Sequence, residues 1–105
     1  ALAAINIAEK ECMDVPYFEG YNVDSVNTIR RIAPKAKLAV VGGLRSFDAL
    51  EHLVTKGTAD LVSLSRPFIR QPNLVKTLRT TSEDSQCISC GLCMYGNKGV
   101  TCFYP

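Results

Sequence analysis

Two short apolar runs divide the middle of the chain. Residues 38–41 and 61–64 are rich in leucine and valine, and turn-forming residues follow each run. Such runs are typical of strands buried on both faces of a parallel sheet. The segment between them is long enough for the helical crossover that two parallel strands require. We therefore predict a right-handed βαβ unit over residues 38–64.

Helical periodicity flanks the first run. Before it, Val26, Ile29 and Ile32 recur at three-residue spacing, which predicts an amphipathic helix. In the crossover, Ser46 is placed to cap the first helical turn, and Gly57 is placed for the left-handed residue that ends a helix. The apolar stripe of this crossover helix comprises Phe47, Leu50, Leu53 and Val54.

The ends of the chain are less regular. Residues 1–11 are compatible with a helix, and a short helix is predicted to reach about residue 78. Residues 80–86 are polar, which predicts a mobile linker. We therefore divide the 105 residues into βα repeats over 1–79 and a linker with a cysteine-rich tail over 80–105.

Composition and charge narrow the function classes. The net charge is +2, but residues 28–79 hold ten of the twelve Lys and Arg residues and only three acids. A basic middle suits an anionic ligand, and the lack of interleaved aromatic residues argues against nucleic acid. No apolar run approaches the roughly 20 residues needed to span a bilayer, so no membrane association is expected.

The turns that follow the two apolar runs carry residues suited to binding phosphate. Gly42 and Gly43 allow positive φ and close backbone approach to an anion, and the crossover helix adds its positive end. Arg66, next to Ser65, supplies a guanidinium that can grip a phosphate in two places. Parallel strands place both turns at one sheet edge, where ligands bind in α/β folds. The alternative is that the glycine pair serves the turn for steric reasons alone.

Cysteines cluster near the carboxyl end. Cys87, Cys90 and Cys93 have the spacing of the first three ligands of a ferredoxin-type [4Fe–4S] site, with Cys102 as a more distant fourth candidate. Four thiolates could instead hold zinc, and reduced structural thiols are the rival interpretation. An odd count of five cysteines argues against a disulfide framework and for a reducing, cytoplasmic compartment.

Three segments resemble the carboxyl-terminal part of the Old Yellow Enzyme family of NADH:flavin oxidoreductases, namely residues 41–45, 59–69 and 71–74. The resemblance implies the last βα units of a (β/α)8 TIM barrel that binds FMN and reduces a small-molecule substrate with NAD(P)H. It also implies which residues contact the flavin phosphate: Gly42, Gly43, Ser65 and Arg66. Many members have glycine at the position of Ser65, and some branches bind a [4Fe–4S] cluster near the cysteines.

The resemblance assigns no catalytic residue here, because the family's catalytic groups come from earlier strands. His52 has no titratable partner near it in sequence and is predicted to be solvated. The leading hypothesis is a carboxyl-terminal segment that supplies the flavin phosphate turns and is inactive alone. The alternatives are a small iron–sulfur or zinc module, or a truncated fragment without activity. A partial barrel leaves open strand edges, so the isolated chain is expected to self-associate.

Overall fold

The computed structural model describes residues 18–94 and 99–104. Its elements are α1 (Val23–Ile32), β1 (Ala39–Val41), α2 (Phe47–Thr55), β2 (Leu61–Ser63), α3 (Arg66–Arg70) and α4 (Leu74–Thr81), followed by a 3-10 turn over Leu92–Met94. The helix considered for residues 1–11 lies outside the described residues. Within the described ranges, no helix is long and apolar enough to cross a membrane.

The centre of the fold is the predicted βαβ unit. Strands β1 and β2 pair in parallel, with Ala39 opposite Leu61 and Val41 opposite Ser63. Helix α2 makes the crossover between them, beginning directly after Ser46. Gly57 has φ +74° just beyond its end, as a left-handed helix-ending residue should. The prediction of parallel strands joined by a helix is therefore confirmed.

The core is small and lies between the sheet and two helices. Val40 is 1% exposed and sits at its centre. The buried apolar cluster comprises Val26, Val40, Leu44, Leu50, Leu53 and Ala59. Of the stripe predicted for α2, Leu50 and Leu53 are buried, whereas Val54 is 42% exposed. Hydrophobic burial therefore stabilises only the residues of each helix that face β1 and β2.

Burial of both sheet faces, expected from the sequence, is not observed in the part of the chain that the structure describes. Val41 is 48% exposed and Leu61 is 68% exposed. Helix α1 likewise leaves Ile29 and Ile32 open, the latter at 79% exposure. The physical reason is that two strands offer neighbours on one edge only, so outward side chains have nothing to pack against. The (β/α)8 barrel stays a prediction, and these apolar side chains are the surfaces that additional layers would cover.

An aspartate ties α1 to the start of both strands. Asp60 Oδ2 accepts hydrogen bonds from the Leu38 N–H and from Arg30 Nη2, each at 2.9 Å. Lys37 Nζ lies 3.9 Å from Asp60 Oδ1. The same guanidinium donates through Nη1 to the carbonyl oxygens of Pro34 and Ala36, at 3.0 and 2.8 Å. The network therefore fixes the connection between α1 and β1.

This network predicts a stability that depends on pH. The Leu38 N–H and then the Arg30 guanidinium hold the pKa of Asp60 below its ordinary value in the folded chain. A depressed folded pKa stabilises the fold above the unfolded pKa, near pH 4, and that contribution is lost as the pH falls through the folded pKa. We expect the difference in urea midpoint between wild type and Asp60→Asn to shrink as the pH falls below about 4. A difference independent of pH would contradict this role.

The polar segment after α4 differs from the predicted mobile linker. The Ser85 N–H donates to the Arg45 carbonyl oxygen at 2.9 Å, and Ser85 is buried. Gln71 Oε1 accepts from Ser85 Oγ at 3.2 Å and from the Gln86 N–H at 2.7 Å. These hydrogen bonds hold the segment against both the turn that leads into α2 and the end of α3. The cysteine-rich tail therefore begins at a defined place beside the βαβ unit.

Candidate functional site

The two turns predicted to bind phosphate follow the carboxyl ends of paired parallel strands. Val41 pairs with Ser63, and Gly43 and Ser65 each lie two residues further along their strands. Parallel strands run in the same direction, so both turns leave the sheet at one edge. The prediction that the glycine turn and the Ser-Arg turn share an edge is confirmed, whereas phosphate binding there stays a prediction.

The glycine turn has a steric requirement of its own. Gly42 has φ +135° and Gly43 has φ +65°, both in the region that favours glycine. A Cβ added at Gly42 would lie 2.8 Å from Asn22 Nδ2. The Gly20 N–H donates to the Gly42 carbonyl oxygen at 3.0 Å, and Asn22 Nδ2 donates to the Val41 carbonyl oxygen at 2.8 Å. The segment before α1 therefore packs against Gly42, which gives this glycine the steric role considered as the alternative.

The amino terminus of α2 is capped by carboxylates of this chain. Glu19 Oε1 accepts from the Arg45 and Ser46 N–H groups, both at 2.7 Å, and from Ser46 Oγ at 3.0 Å. Asp84 Oδ1 accepts from the Phe47 N–H at 2.8 Å. Negative charge is favourable at this end of a helix. These amides have internal partners, so the predicted use of this helix end to hold a phosphate is not supported.

Sequence reasoning missed Glu19 and Asp84 as capping residues. It placed Ser46 correctly as the N-cap residue, but the Ser46 side chain makes no capping hydrogen bond and instead contacts Glu19. Glu19 lies 26 residues before Arg45, and Asp84 lies 37 residues after Phe47. A local capping pattern contains no signal for partners that distant.

The Ser-Arg turn accommodates a side chain. Ser65 has φ −121°, which any residue with a Cβ can adopt, so serine fits where the resembling family often has glycine. Its carbonyl oxygen accepts from the Phe68 and Ile69 N–H groups at 2.9 and 3.3 Å. Arg66 begins α3, is half-buried and lines a cleft on this side of the molecule.

The cysteine-rich tail closes the other side of that cleft. Four cysteines line it together with Arg66, and all are free thiols: Cys87, Cys90, Cys93 and Cys102. Burial raises the pKa of the Cys93 thiol, and the positive charge of Arg66 opposes that rise. Cys90 is the most open of the four, being exposed where the other three are half-buried.

Two further arginines hold the tail in place. Arg45 Nη1 donates to the Cys87 carbonyl oxygen at 3.2 Å. Arg70 Nη1 donates to the Tyr104 carbonyl oxygen and lies 3.8 Å from Cys102 Sγ, and its guanidinium is 5.8 Å from the centre of the Tyr104 ring. The tail is therefore anchored at both ends beside α3.

The four cysteines share a cleft without forming a metal centre in the structure. Among the residues described, no three His, Cys, Asp or Glu side chains are arranged to hold a metal ion. The ligand set Cys87, Cys90, Cys93 and Cys102, for a [4Fe–4S] cluster or zinc, stays a prediction. His52 is exposed on α2, as predicted.

Comparison with known proteins indicates a class of flavin enzyme. The chain is 41% identical over 59 residues to the NADH-dependent flavin oxidoreductase iliE of Neonectria sp., which is 56% of this chain and 8% of that protein. It is 35% identical over 60 residues to the NADH-dependent flavin oxidoreductase iccE of Talaromyces variabilis, covering 57% of this chain and 14% of the relative. The chain is thus similar to part of the NADH-dependent flavin oxidoreductases.

A bacterial relative extends the similarity. The chain is 31% identical over 80 residues to the 4,4'-dithiodibutanoate disulfide reductase of Rhodococcus erythropolis, covering 75% of this chain and 19% of that enzyme. The chain spans between 8% and 19% of the length of the curated relatives it matches. No protein-family model matches the sequence, and no solved structure matches it.

Proposed function

We propose that this chain is a segment of an FMN-dependent NAD(P)H oxidoreductase of the Old Yellow Enzyme type, and that it supplies the turns that bind the flavin phosphate. The observation that carries the proposal is the parallel register, in which Gly43 and Ser65 follow paired strand ends at one edge of the sheet. The similarity to NADH-dependent flavin oxidoreductases supports the class of enzyme. The predicted (β/α)8 barrel would place this edge at the face where barrel enzymes bind ligands.

The residues at this edge fit a phosphate group. Arg66 is half-buried, so its guanidinium is less screened than a fully exposed cation would be. A guanidinium can donate two parallel hydrogen bonds to phosphate oxygens. Ser65 has φ −121°, so the backbone of this turn accepts a residue that carries a side chain. Because α2 is capped by Glu19, the proposed phosphate contacts are the two turns and Arg66 rather than that helix end.

The chain's part in the reaction is to bind and orient the cofactor. The flavin would supply the hydride-transfer chemistry when bound. In this proposal, catalytic residues and the sites for NAD(P)H and a small-molecule substrate belong to the remainder of a longer protein. The exposed side chains of Val41 and Leu61 are the surface on which the remaining strands and helices of that protein would pack.

A titration of the ¹⁵N-labelled 105-residue chain tests the phosphate site, with FMN as ligand and riboflavin, which lacks the phosphate, as control. We expect FMN to shift the amide signals of Gly43 and Ser65 and riboflavin to leave them unchanged. Binding should be weak, with a dissociation constant above about 1 μM, because most of a flavin site is missing. Arg66→Ala should weaken FMN binding by about 10- to 150-fold, since a hydrogen bond to a charged group contributes about 1.5–3 kcal/mol.

The matched control is His52→Ala, which removes an exposed side chain on α2 outside the proposed site. It should leave the FMN shifts unchanged. Equal effects of Arg66→Ala and His52→Ala, or equal shifts with FMN and riboflavin, would remove Arg66 from the site. Submicromolar binding by this chain alone would contradict the proposal that it contributes only the phosphate end.

A further inference from the structure

We propose that residues 85–87 form a strap that joins the glycine turn to the Ser-Arg turn, and that Gln71 is the residue through which this strap positions Arg66. Gln71 is a positioning residue in this proposal, because it acts through the strap and through Arg66. The coupling of the two turns rests on hydrogen bonds within this chain, whereas its effect on a phosphate rests on the proposed function.

Arg45, two residues after Gly43, holds the strap from the side of the glycine turn. The Ser85 N–H donates to the Arg45 carbonyl oxygen at 2.9 Å. Arg45 Nη1 donates to the Cys87 carbonyl oxygen at 3.2 Å. The backbone and the side chain of one residue therefore contact both ends of the strap.

Gln71 holds the strap from the side of the Ser-Arg turn. It is the C-cap residue of α3, the helix that Arg66 begins, and its N–H donates to the Pro67 carbonyl oxygen at 2.9 Å. Gln71 Oε1 accepts from Ser85 Oγ at 3.2 Å and from the Gln86 N–H at 2.7 Å. One carbonyl oxygen therefore anchors two successive strap residues to the helix that carries Arg66.

The strap is also closed by a hydrogen bond of its own. Ser85 Oγ accepts from the Cys87 N–H at 3.2 Å, so this hydroxyl links the two ends of the strap while it donates to Gln71. Ser85 is 9% exposed, and a buried hydroxyl that loses its acceptor keeps the cost of its desolvation. Loss of the Gln71 oxygen should therefore disturb the whole strap and not a single contact.

The strap lies beside Arg66. Gln86 and Cys87 line the same cleft as Arg66, which is half-buried there. A long side chain contributes more to binding when its neighbours restrict its conformations before the ligand arrives. The strap therefore limits both the relative movement of the two turns and the conformations open to Arg66.

The first test needs no ligand and compares two variants of Gln71 in ¹⁵N spectra of the 105-residue chain near neutral pH. Gln71→Met keeps the length of the side chain and removes the carbonyl oxygen, whereas Gln71→Glu keeps an acceptor oxygen. Gln71→Met should shift the amide signals of Gly43 and Arg45, although both are far from it in sequence. Gln71→Glu should leave them close to wild type. Unshifted signals in Gln71→Met, or equal shifts in the two variants, would overturn the proposal.

Amide hydrogen exchange of the wild-type chain tests the strap without any variant. The Ser85 N–H is bonded to Arg45 and the Gln86 N–H to Gln71, on opposite sides of the strap. Their protection factors should differ by less than about tenfold, because one opening of the strap exposes both groups. A larger difference would mean that the strap does not open as one unit, which would contradict the coupling.

Asp60→Asn is the control for a general loss of stability. Asp60 accepts from the Leu38 N–H and from Arg30 at the start of the strands, away from both turns. It should lower the urea midpoint and leave the amide signals of Gly43 and Arg45 unchanged. Shifts there as large as those in Gln71→Met would mean that lost stability, and not the strap, moves the glycine turn.

The second test measures the effect on the proposed phosphate site. Gln71→Met should raise the dissociation constant for FMN about two- to twelvefold, which is the cost of ordering one long side chain on binding. In an Arg66→Ala background the same substitution should have no further effect, and an undiminished effect would contradict positioning through Arg66. If FMN shifted no signal of the wild-type chain, the proposed function would fail, and the ligand-free spectra would still decide whether the strap couples the turns.

Discussion

Replacement of Glu19 by alanine is expected to lower the free energy of unfolding by about 2–4 kcal/mol, since it removes the charged acceptor from partly buried donors. Glu19 Oε1 lies 2.7 Å from both the Arg45 and the Ser46 nitrogen atoms, and the Ser46 hydroxyl also donates to this carboxylate. Without it, two backbone N–H groups at the start of α2 lose their partner. The measurement is the urea midpoint of the 105-residue chain, followed by circular dichroism.

Two further variants separate the capping role from the charge alone. Glu51 is an exposed acid on α2, and Glu51→Ala should change the free energy of unfolding by no more than about 0.5 kcal/mol. Glu19→Gln keeps one carbonyl oxygen as an acceptor but loses the charge, so an intermediate loss is expected. Equal urea midpoints for Glu19→Ala and Glu51→Ala would show that the carboxylate does not hold this helix end.

The effect of Glu19 should also be local to the glycine turn. Arg45 and Ser46 connect Gly43 to α2, so their anchoring limits the conformations open to the turn. In Glu19→Ala, we expect amide hydrogen exchange to accelerate over residues 43–47 more than over α1. The proposed phosphate edge would therefore lose order before the remainder of the βαβ unit does.

Local patterns were sufficient to predict the elements of the βαβ unit. The apolar runs marked both strands, and Gly57 marked the end of the crossover helix, because each signal comes from neighbouring residues. Parallel pairing followed from chain connectivity, since a crossover helix joins the strands. The same reasoning placed the glycine turn and the Ser-Arg turn at one edge of the sheet.

Long-range contacts explain what sequence patterns did not predict. Glu19 and Asp84 accept hydrogen bonds from backbone N–H groups at the amino terminus of α2. One lies far before this helix in the sequence and the other far after it, and a helix pattern cannot specify such partners. Residues 82–86 have the polar composition of a linker, yet Ser85 is buried because Gln71 and Arg45 receive its hydrogen bonds. Tertiary hydrogen bonds therefore determine both the capping of α2 and the ordered structure of residues 82–86.

The exposed faces of the fold have a different cause. The periodicity of α1 correctly predicts its helix, but Ile29 and Ile32 remain exposed because periodicity identifies an apolar face without supplying the layer that covers it. The same holds for Val41 and Leu61 in the sheet. The longer protein proposed above would supply the layers that cover these faces, and the chain spans only 8% and 19% of the length of two relatives.

Gly42→Ala is expected to lower the free energy of unfolding by about 2–4 kcal/mol, combining an unfavourable positive φ with overpacking. The new Cβ would lie 2.8 Å from Asn22 Nδ2 and 3.0 Å from Tyr21 Cε2. Asn22 would have to move, which would break its hydrogen bond to the Val41 carbonyl oxygen. The loss is measured as a lowered urea midpoint, with shifted amide signals at residues 20–22.

Gly57→Ala is the control for a positive φ without crowding. Gly57 also has positive φ, at +74°, but a Cβ there would meet no atom within 4 Å. Its expected cost is therefore the strain of a left-handed conformation alone, about 1–2 kcal/mol. If both variants lost the same stability, crowding by Asn22 would be irrelevant and conformation alone would require glycine at position 42. A larger loss at Gly42 that is accompanied by shifted amide signals at residues 20–22 would mean that the segment before α1 fixes the glycine turn, and with it the edge where Arg66 is proposed to meet a phosphate.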